Sequence, residues 1–157
     1  MEQARTDQYT QRGEATLLLA IFAFEEALFA VDALRVQEII RKGAITPVHH
    51  APAHVLGIIN LRGRIVTVLD PASRMGLAAQ ARTPASRILI LDWQDEQVGL
   101  LVSRIHDMVD VARDRLAQPP SNLRNDLGAF LAGVVQVHDH MVSVLELGPV
   151  LAVEDGA

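Results

Sequence analysis

The sequence predicts a mainly β protein assembled from two copies of one five-strand unit. Three observations lead there. Short aliphatic and β-branched runs alternate with turn residues along the chain, the pattern of strands and hairpins rather than of long helices. Half of the residues are hydrophobic yet only 4% are aromatic, so a sizeable core must be built from Val, Leu, Ile and Ala. Two stretches of the first half also recur in the second. Phe29-Ala30-Val31 with Arg35–Ile40 lies over Val98-Gly99-Leu100 with Arg104–Val109, and Gly57–Asp70 lies over Gly133–Glu146. In the second pair the leading glycine, the apolar alternation, a polar hairpin tip and the terminal acid all return, as duplication of a small unit requires.

The elements follow in order. Residues 1–14 are polar, with Arg5, Asp7, Arg12 and Glu14, and read as a flexible tail. Leu17–Phe24 is apolar throughout, which suits a strand covered on both faces. Glu25-Glu26 breaks it and Ala27–Val31 resumes, a hairpin pattern. Val36–Ile40 is a short, half-exposed strand. His54–Leu61 and Arg64–Leu69 flank Arg62-Gly63, where the glycine can supply the positive φ of a tight turn. Asp70 caps one or two helical turns over Pro71–Met75, with proline at the first position. Leu77–Pro84 has the composition of a linker, so the domain over 15–151 is expected to divide into two lobes near 77–86. Beyond it, Arg87–Trp93, Gln97–Val102 and Ile105–Val111 read as strands. Ala117–Asn125, with Pro119-Pro120, reads as a loop. Phe130–Val137 and Met141–Leu145 form a second hairpin around His138-Asp139-His140, and Leu147–Val153 closes the chain as a short helix. Each half has about 70 residues, marginal for stability alone, so the lobes pack together and leave a groove between them.

Composition also removes function classes. A formal net charge of −5 disfavours a general nucleic-acid binder, whose phosphate affinity needs a cationic surface. With no cysteine there is no disulfide, zinc–thiolate site or thiol chemistry, and a reducing compartment fits. The first fifteen residues lack the apolar stretch of a signal peptide. The longest apolar run, Leu17–Phe24, has eight residues, against about 20 for a membrane helix. The expectation is a cytoplasmic protein with no membrane insertion.

Two constellations carry chemistry worth weighing. His138 and His140 stand on one face of a strand beside Asp139, and His49, His50 and His54 form a second cluster. Both sit at expected loops or hairpin tips, and no His-Glu-x-x-His helix or completing carboxylate accompanies them. A metal-binding β-barrel or hydrolase is the alternative reading, and it needs these histidines to converge. Ser73, Ser86, Ser103, Ser121 and Ser143 lie in ordinary contexts without a nucleophile elbow, and the glycines form no phosphate-binding loop. The second constellation is Asn60-Leu61-Arg62-Gly63 with Val36-Gln37-Glu38-Ile39-Ile40. Arg62 at a hairpin tip and Glu38 on a nearby strand can pair across the surface. Exposed ion pairs add little stability, so a recognition surface is the better reason for one.

These segments resemble the CheW-type chemotaxis coupling proteins. The likeness runs through Phe29–Ile40, Ile45-Thr46-Pro47-Val48, Pro52–Val66, Gln97–Val102 and Phe130–Val134, and covers about Ala15 to Leu151. Val-Gln-Glu-Ile followed at this spacing by Gly-x-x-Asn-Leu-Arg-Gly is its most specific part. The resemblance implies two SH3-like five-stranded β-barrels packed together, with short helical turns. It implies a non-enzymatic adaptor without cofactor, bridging the cytoplasmic tips of chemoreceptors to the regulatory domain of a CheA-type histidine kinase in receptor arrays. Carried over to this sequence, the receptor- or kinase-binding surface falls on Val36, Glu38, Ile39, Gly57, Arg62, Ile105 and Met108. The apolar members would line the inter-lobe groove and take an amphipathic helix, and a side chain at Gly57 would push adjacent backbone apart. For Val36, Ile39, Ile105 and Met108 plain barrel core is the competing assignment. Thr67, Pro71 and the His138-Asp139-His140 tip depart from the usual pattern.

Overall fold

The computed structural model describes residues 15–41, 43–119 and 125–152. The expected tail at 1–14 and the end of the closing helix at Val153 lie outside the described residues. Ten strands are described: β1 (Thr16–Phe24), β2 (Ala27–Asp32), β3 (Val36–Arg41), β4 (Val55–Leu61), β5 (Arg64–Leu69), β6 (Arg87–Trp93), β7 (Glu96–Val102), β8 (Arg104–Ala112), β9 (Leu131–Val137) and β10 (His140–Leu145). Three short helices join them, α1 (Pro71–Arg74), α2 (Asn125–Gly128) and α3 (Leu147–Leu151). The Asp70 side chain accepts from the Ala72 and Ser73 amides at the start of α1, the cap that the Asp-Pro pair predicts. Unforeseen are α2 and two 3₁₀ turns, Ala33–Arg35 and Arg113–Arg115. Each is too short to leave a helical periodicity.

The strands make two five-stranded sheets, ordered β8-β1-β2-β10-β9 and β3-β6-β7-β5-β4. Replacing β1–β5 by β6–β10 converts one order into the other, so the duplication in the sequence is a duplication in space. The expected division of the chain near 77–86 needs correction, however. That linker separates the two sequence repeats, but neither sheet is built from one repeat. The first takes β1 and β2 from the first repeat and β8, β9 and β10 from the second; the other takes the reverse. Each barrel is completed by a hairpin from the opposite half of the chain. Parallel pairs β2–β10 and β5–β7 stitch the two contributions together inside each sheet.

Alternation along the strands sorts the apolar residues into three cores. Leu17, Leu19, Ile21, Val111, Val135, Val142 and Val144 fill the first barrel. Val66, Val68, Ile88, Ile90 and Leu101 fill the second. The largest cluster lies between the barrels, where Phe22, Phe24, Phe29 and Val31 meet Leu69, Leu89, Leu91 and Leu100. The uninterrupted apolar run of β1 follows from this placement: odd positions enter the barrel and even ones the interface. The groove expected between the lobes is therefore packed, and only its margins reach solvent.

The linker is held rather than free. Gln80 is buried, and its Nε2 donates to Asp70 Oδ1 at 2.9 Å and to the Leu101 carbonyl at 2.6 Å, while its Oε1 accepts from Ser103 Oγ at 3.0 Å. Ser103 Oγ accepts the Glu25 amide, and Glu25 Oε1 accepts the Ala81 amide. One side-chain chain thus ties α1, the linker, the β7–β8 junction and the β1–β2 turn.

Candidate functional site: the rim between the barrels

Strands β3 and β8 occupy equivalent outer positions in the two sheets. Val36 stands opposite Leu91 and Ile39 opposite Leu89, while Ile105 stands opposite Phe22 and Met108 opposite Ala20. Opposed residues share a sheet face, and all four partners belong to the core between the barrels. The four apolar candidates therefore sit on the inter-barrel face and carry that core outward to its rim. Val36 is half-buried and packs against the core, whereas Ile39, Ile105 and Met108 are 39%, 38% and 50% exposed. Both strands carry a bulge at the same place, which leaves Gln37 and His106 outside the ladder. Sequence reasoning missed Leu18, which lies opposite Asp110 on the face of Ala20 and is 36% exposed. Its signal was present as the two-residue step back from Ala20. It also missed Leu34, 83% exposed on the 3₁₀ turn before β3. Beside it Arg35 lies over the Trp93 ring, 5.6 Å from its centroid, at the edge of an open cleft of about 530 Å³.

Glu38 and Arg62 do pair. Arg62 Nη2 donates to Glu38 Oε2 at 2.5 Å. The local sequence explains the reach. Arg62 and Gly63 both have positive φ, 52° and 85°, the geometry of a two-residue hairpin turn, and Asn60 Oδ1 accepts the Gly63 amide at 2.8 Å. Asn60 thus clamps the tip, and the tip aims the guanidinium at β3. Because β3 and β4 are the two ends of their sheet, the ion pair spans the seam where the barrel closes. The hydrogen bond from Arg62, and then its charge, holds the Glu38 carboxyl below its ordinary pKa; the same contact raises that of Arg62.

Gly57 is buried and does not face solvent, which corrects its expected place on a contact surface. Its φ is +147°, and a Cβ there would lie 2.1 Å from the Thr46 carbonyl oxygen. Thr46 and Ile58 exchange amide–carbonyl hydrogen bonds of 2.8 and 2.9 Å, and this bridge lets residues 45–46 cross tightly over β4. The repeat has the same device. Ala117 bridges Val134, and a Cβ on Gly133 would come within 2.8 Å of the Ala117 carbonyl oxygen. Both glycines serve barrel closure.

The histidines disperse. His54 is buried, with Nε2 3.3 Å from the Ala152 carbonyl, while His49 and His50 stand together on an exposed turn. His106 and His140 meet edge to face at 5.7 Å between centroids. Among the described residues no group of three or more His, Asp or Glu side chains is placed to hold a metal ion. The convergence that a metal-dependent barrel requires is not found there.

A family profile described as the CheW-like domain matches residues 19–155. The chain belongs to the CheW-like family. It is 34% identical over 138 residues to the chemotaxis protein CheW of Rhizobium meliloti, covering 87% of this chain and 88% of that one. It is 32% identical over 130 residues to a probable chemotaxis protein CheW of Rhizobium etli, with 82% and 83% covered. The crystal structure of scaffolding protein TtCheW from Thermoanaerobacter tengcongensis superposes with a TM-score of 0.77 at 28% identity, covering 83% of this chain and 84% of that one. In this CheW-like chain Val36–Ile40 lies on the outer strand β3, and Gly57–Gly63 is the strand and tip that meet it.

Proposed function

We propose that this CheW-like chain is a non-enzymatic adaptor that couples chemoreceptors to a CheA-type histidine kinase. The observation that carries the reading is the family match across both barrels. The rim supplies a physical means. Ile39 on one barrel and Ile105 and Met108 on the other present exposed apolar side chains continuous with the inter-barrel core. An amphipathic helix of a receptor tip can lay its apolar face along them without the adaptor repacking. The Glu38–Arg62 pair flanks β3 and adds a charged, geometrically fixed edge, a feature that tunes orientation and partner choice more than affinity. The regulatory domain of the kinase is the second partner. The adaptor acts in the cytoplasm at receptor arrays; among the described residues no helix is long and apolar enough to cross a membrane.

The test is reconstitution with a receptor helical-hairpin fragment and the kinase regulatory domain from the same genome. Wild-type chain should bring both into one complex on a sizing column. Ile39→Asp and Met108→Asp should keep the circular-dichroism spectrum and melt of the wild type and lose the receptor fragment. Failure of wild-type chain to retain either partner would reject the adaptor reading.

A further inference from the structure

Among the described strands the chain changes sheet twice, and each change opens a strand of the rim. Between β2 and β3 it crosses through the 3₁₀ turn Ala33–Arg35, which Asp32 caps, and Val36 follows at once. Between β7 and β8 it crosses on Ser103 alone, and Ile105 lies two residues on. The repeat sets Leu34, in the middle of the first crossing, over Ser103. The first crossing thus has a helical turn of its own. The second has none and is held from outside. The Ser103 amide donates to the Ala23 carbonyl at 2.9 Å. Its Oγ accepts the Glu25 amide at 2.9 Å and donates to Gln80 Oε1 at 3.0 Å. Beside it, Arg104 Nη1 donates to the Glu25 carbonyl at 2.9 Å.

We infer that Ser103 is a positioning residue for the partner surface: its hydroxyl fixes where Ile105 stands. The consequence rests on the adaptor reading above; the anchoring does not. The bulge in β8 is what makes Ile105 depend on Ser103. The β1–β8 ladder runs unbroken from Thr16–Ala112 to Ile21–Asp107, and Met108 lies within it, opposite Ala20. At His106 the ladder is interrupted, and beyond it only the pairs Phe22–Ile105 and Ala23–Arg104 remain. A bulge bends its strand and breaks the pairing locally. Two pairs are a short hold for an exposed side chain that has to meet a partner, and the bonds of Ser103 extend it. Ser103 stands two residues before Ile105, the spacing that keeps strand residues on one face. Its hydroxyl therefore acts on the inter-barrel side, where Ile105 joins the rim. The groups it binds are themselves fixed. Gln80 is buried, and its Nε2 is already committed to Asp70 and the Leu101 carbonyl. The site uses the hydroxyl as donor and acceptor at once, which an alanine cannot supply. Without it the fitted place of Ile105 is one of several, and affinity falls with the population that still occupies it.

The experiment compares wild type, Ser103→Ala and Ser103→Thr, each alone and combined with Ile105→Ala or Met108→Ala. It reads the melt, amide exchange along β8, and affinity for the receptor helical-hairpin fragment. Ser103→Ala should melt close to the wild type, because Gln80 keeps its bonds to Asp70 and the Leu101 carbonyl. Exchange at residues 103–105 should rise about tenfold, the worth of a hydrogen bond, while Val109 and Val111 keep their protection. Affinity should fall about fivefold. Ser103→Thr, which keeps a hydroxyl, should match the wild type in both. With Ile105→Ala present, the further loss from Ser103→Ala should vanish; with Met108→Ala present, it should remain whole. A hydroxyl that served the fold alone would weaken binding equally in both backgrounds, and that result would overturn the inference. So would unchanged exchange at residues 103–105, or unchanged affinity of Ser103→Ala. If the wild type retained no fragment, the adaptor reading would fall, and the exchange result would still decide the anchoring.

Discussion

At the scale of single residues, Gly57 and the Glu38–Arg62 pair lead to different expectations. Gly57→Ala is expected to destabilise the fold by about 3 kcal/mol or more, since a Cβ must displace the Thr46 carbonyl and the φ of +147° disfavours any side chain. A denaturant melt checks this, and Gly57→Asp should lose partner binding because it loses the fold. Glu38→Ala and Arg62→Ala should leave the melt near that of the wild type and weaken complex formation. A double-mutant cycle should show them coupled, with the second substitution adding little to the first. Their pH dependence has a definite sign. The folded-state pKa of Glu38 is lowered, so the pair's contribution is complete above the ordinary carboxylate pKa and is lost as pH falls through the lower, folded value. Assembly that depends on the pair should thus persist through mildly acidic pH and fail only in stronger acid, as a sizing-column titration would reveal. Both partners of this pair were legible in the sequence, because Arg62-Gly63 between two apolar runs marks a hairpin tip and Val36–Ile40 marks a short strand. The burial of Gly57 was not: its reason lies in the carbonyl of Thr46, which no periodicity places over β4.

At the scale of elements, the linker is the instructive case. Its Ala, Gln, Arg and Thr composition reads as a spacer, and one glutamine among them has no distinguishing pattern. Gln80 nevertheless satisfies the buried Asp70 carboxylate and the Leu101 carbonyl at once. Gln80→Ala should cost about 1–2 kcal/mol, because the buried Leu101 carbonyl loses this side-chain donor while Asp70 keeps the amides of Ala72, Ser73 and residue 80. Amide exchange should rise first at α1 and the β7–β8 junction. The strands themselves were readable nearly end to end, since alternation and hairpin punctuation are local. Turns such as Ala33–Arg35 escaped because a three-residue 3₁₀ segment is set by its cap, here the Asp32 side chain on the Leu34 amide at 3.0 Å.

For the whole molecule, the exchange of hairpins between halves decides how the fold can be taken apart. Neither 1–82 nor 83–157 contains all five strands of a sheet. Each fragment expressed alone should fail to give a cooperative melt. Co-expressed, they should assemble into a 1:1 complex with the wild-type spectrum, because residues 81–85 are exposed and the inter-barrel core joins both halves. Independent folding of either fragment would contradict the arrangement. Duplication was visible in the sequence; the exchange was not. Strand alternation tells which face a residue takes and is silent on which strand lies alongside.

The position of the single tryptophan gives the protein a native optical probe. Trp93 sits under Arg35, immediately before the strand that bears Val36, Glu38 and Ile39. An indole is sensitive to a cation over its ring and to hydration of its edge. Its emission wavelength and quenching should therefore follow any shift of β3 as a partner docks, with no dye attached and no background from a second indole.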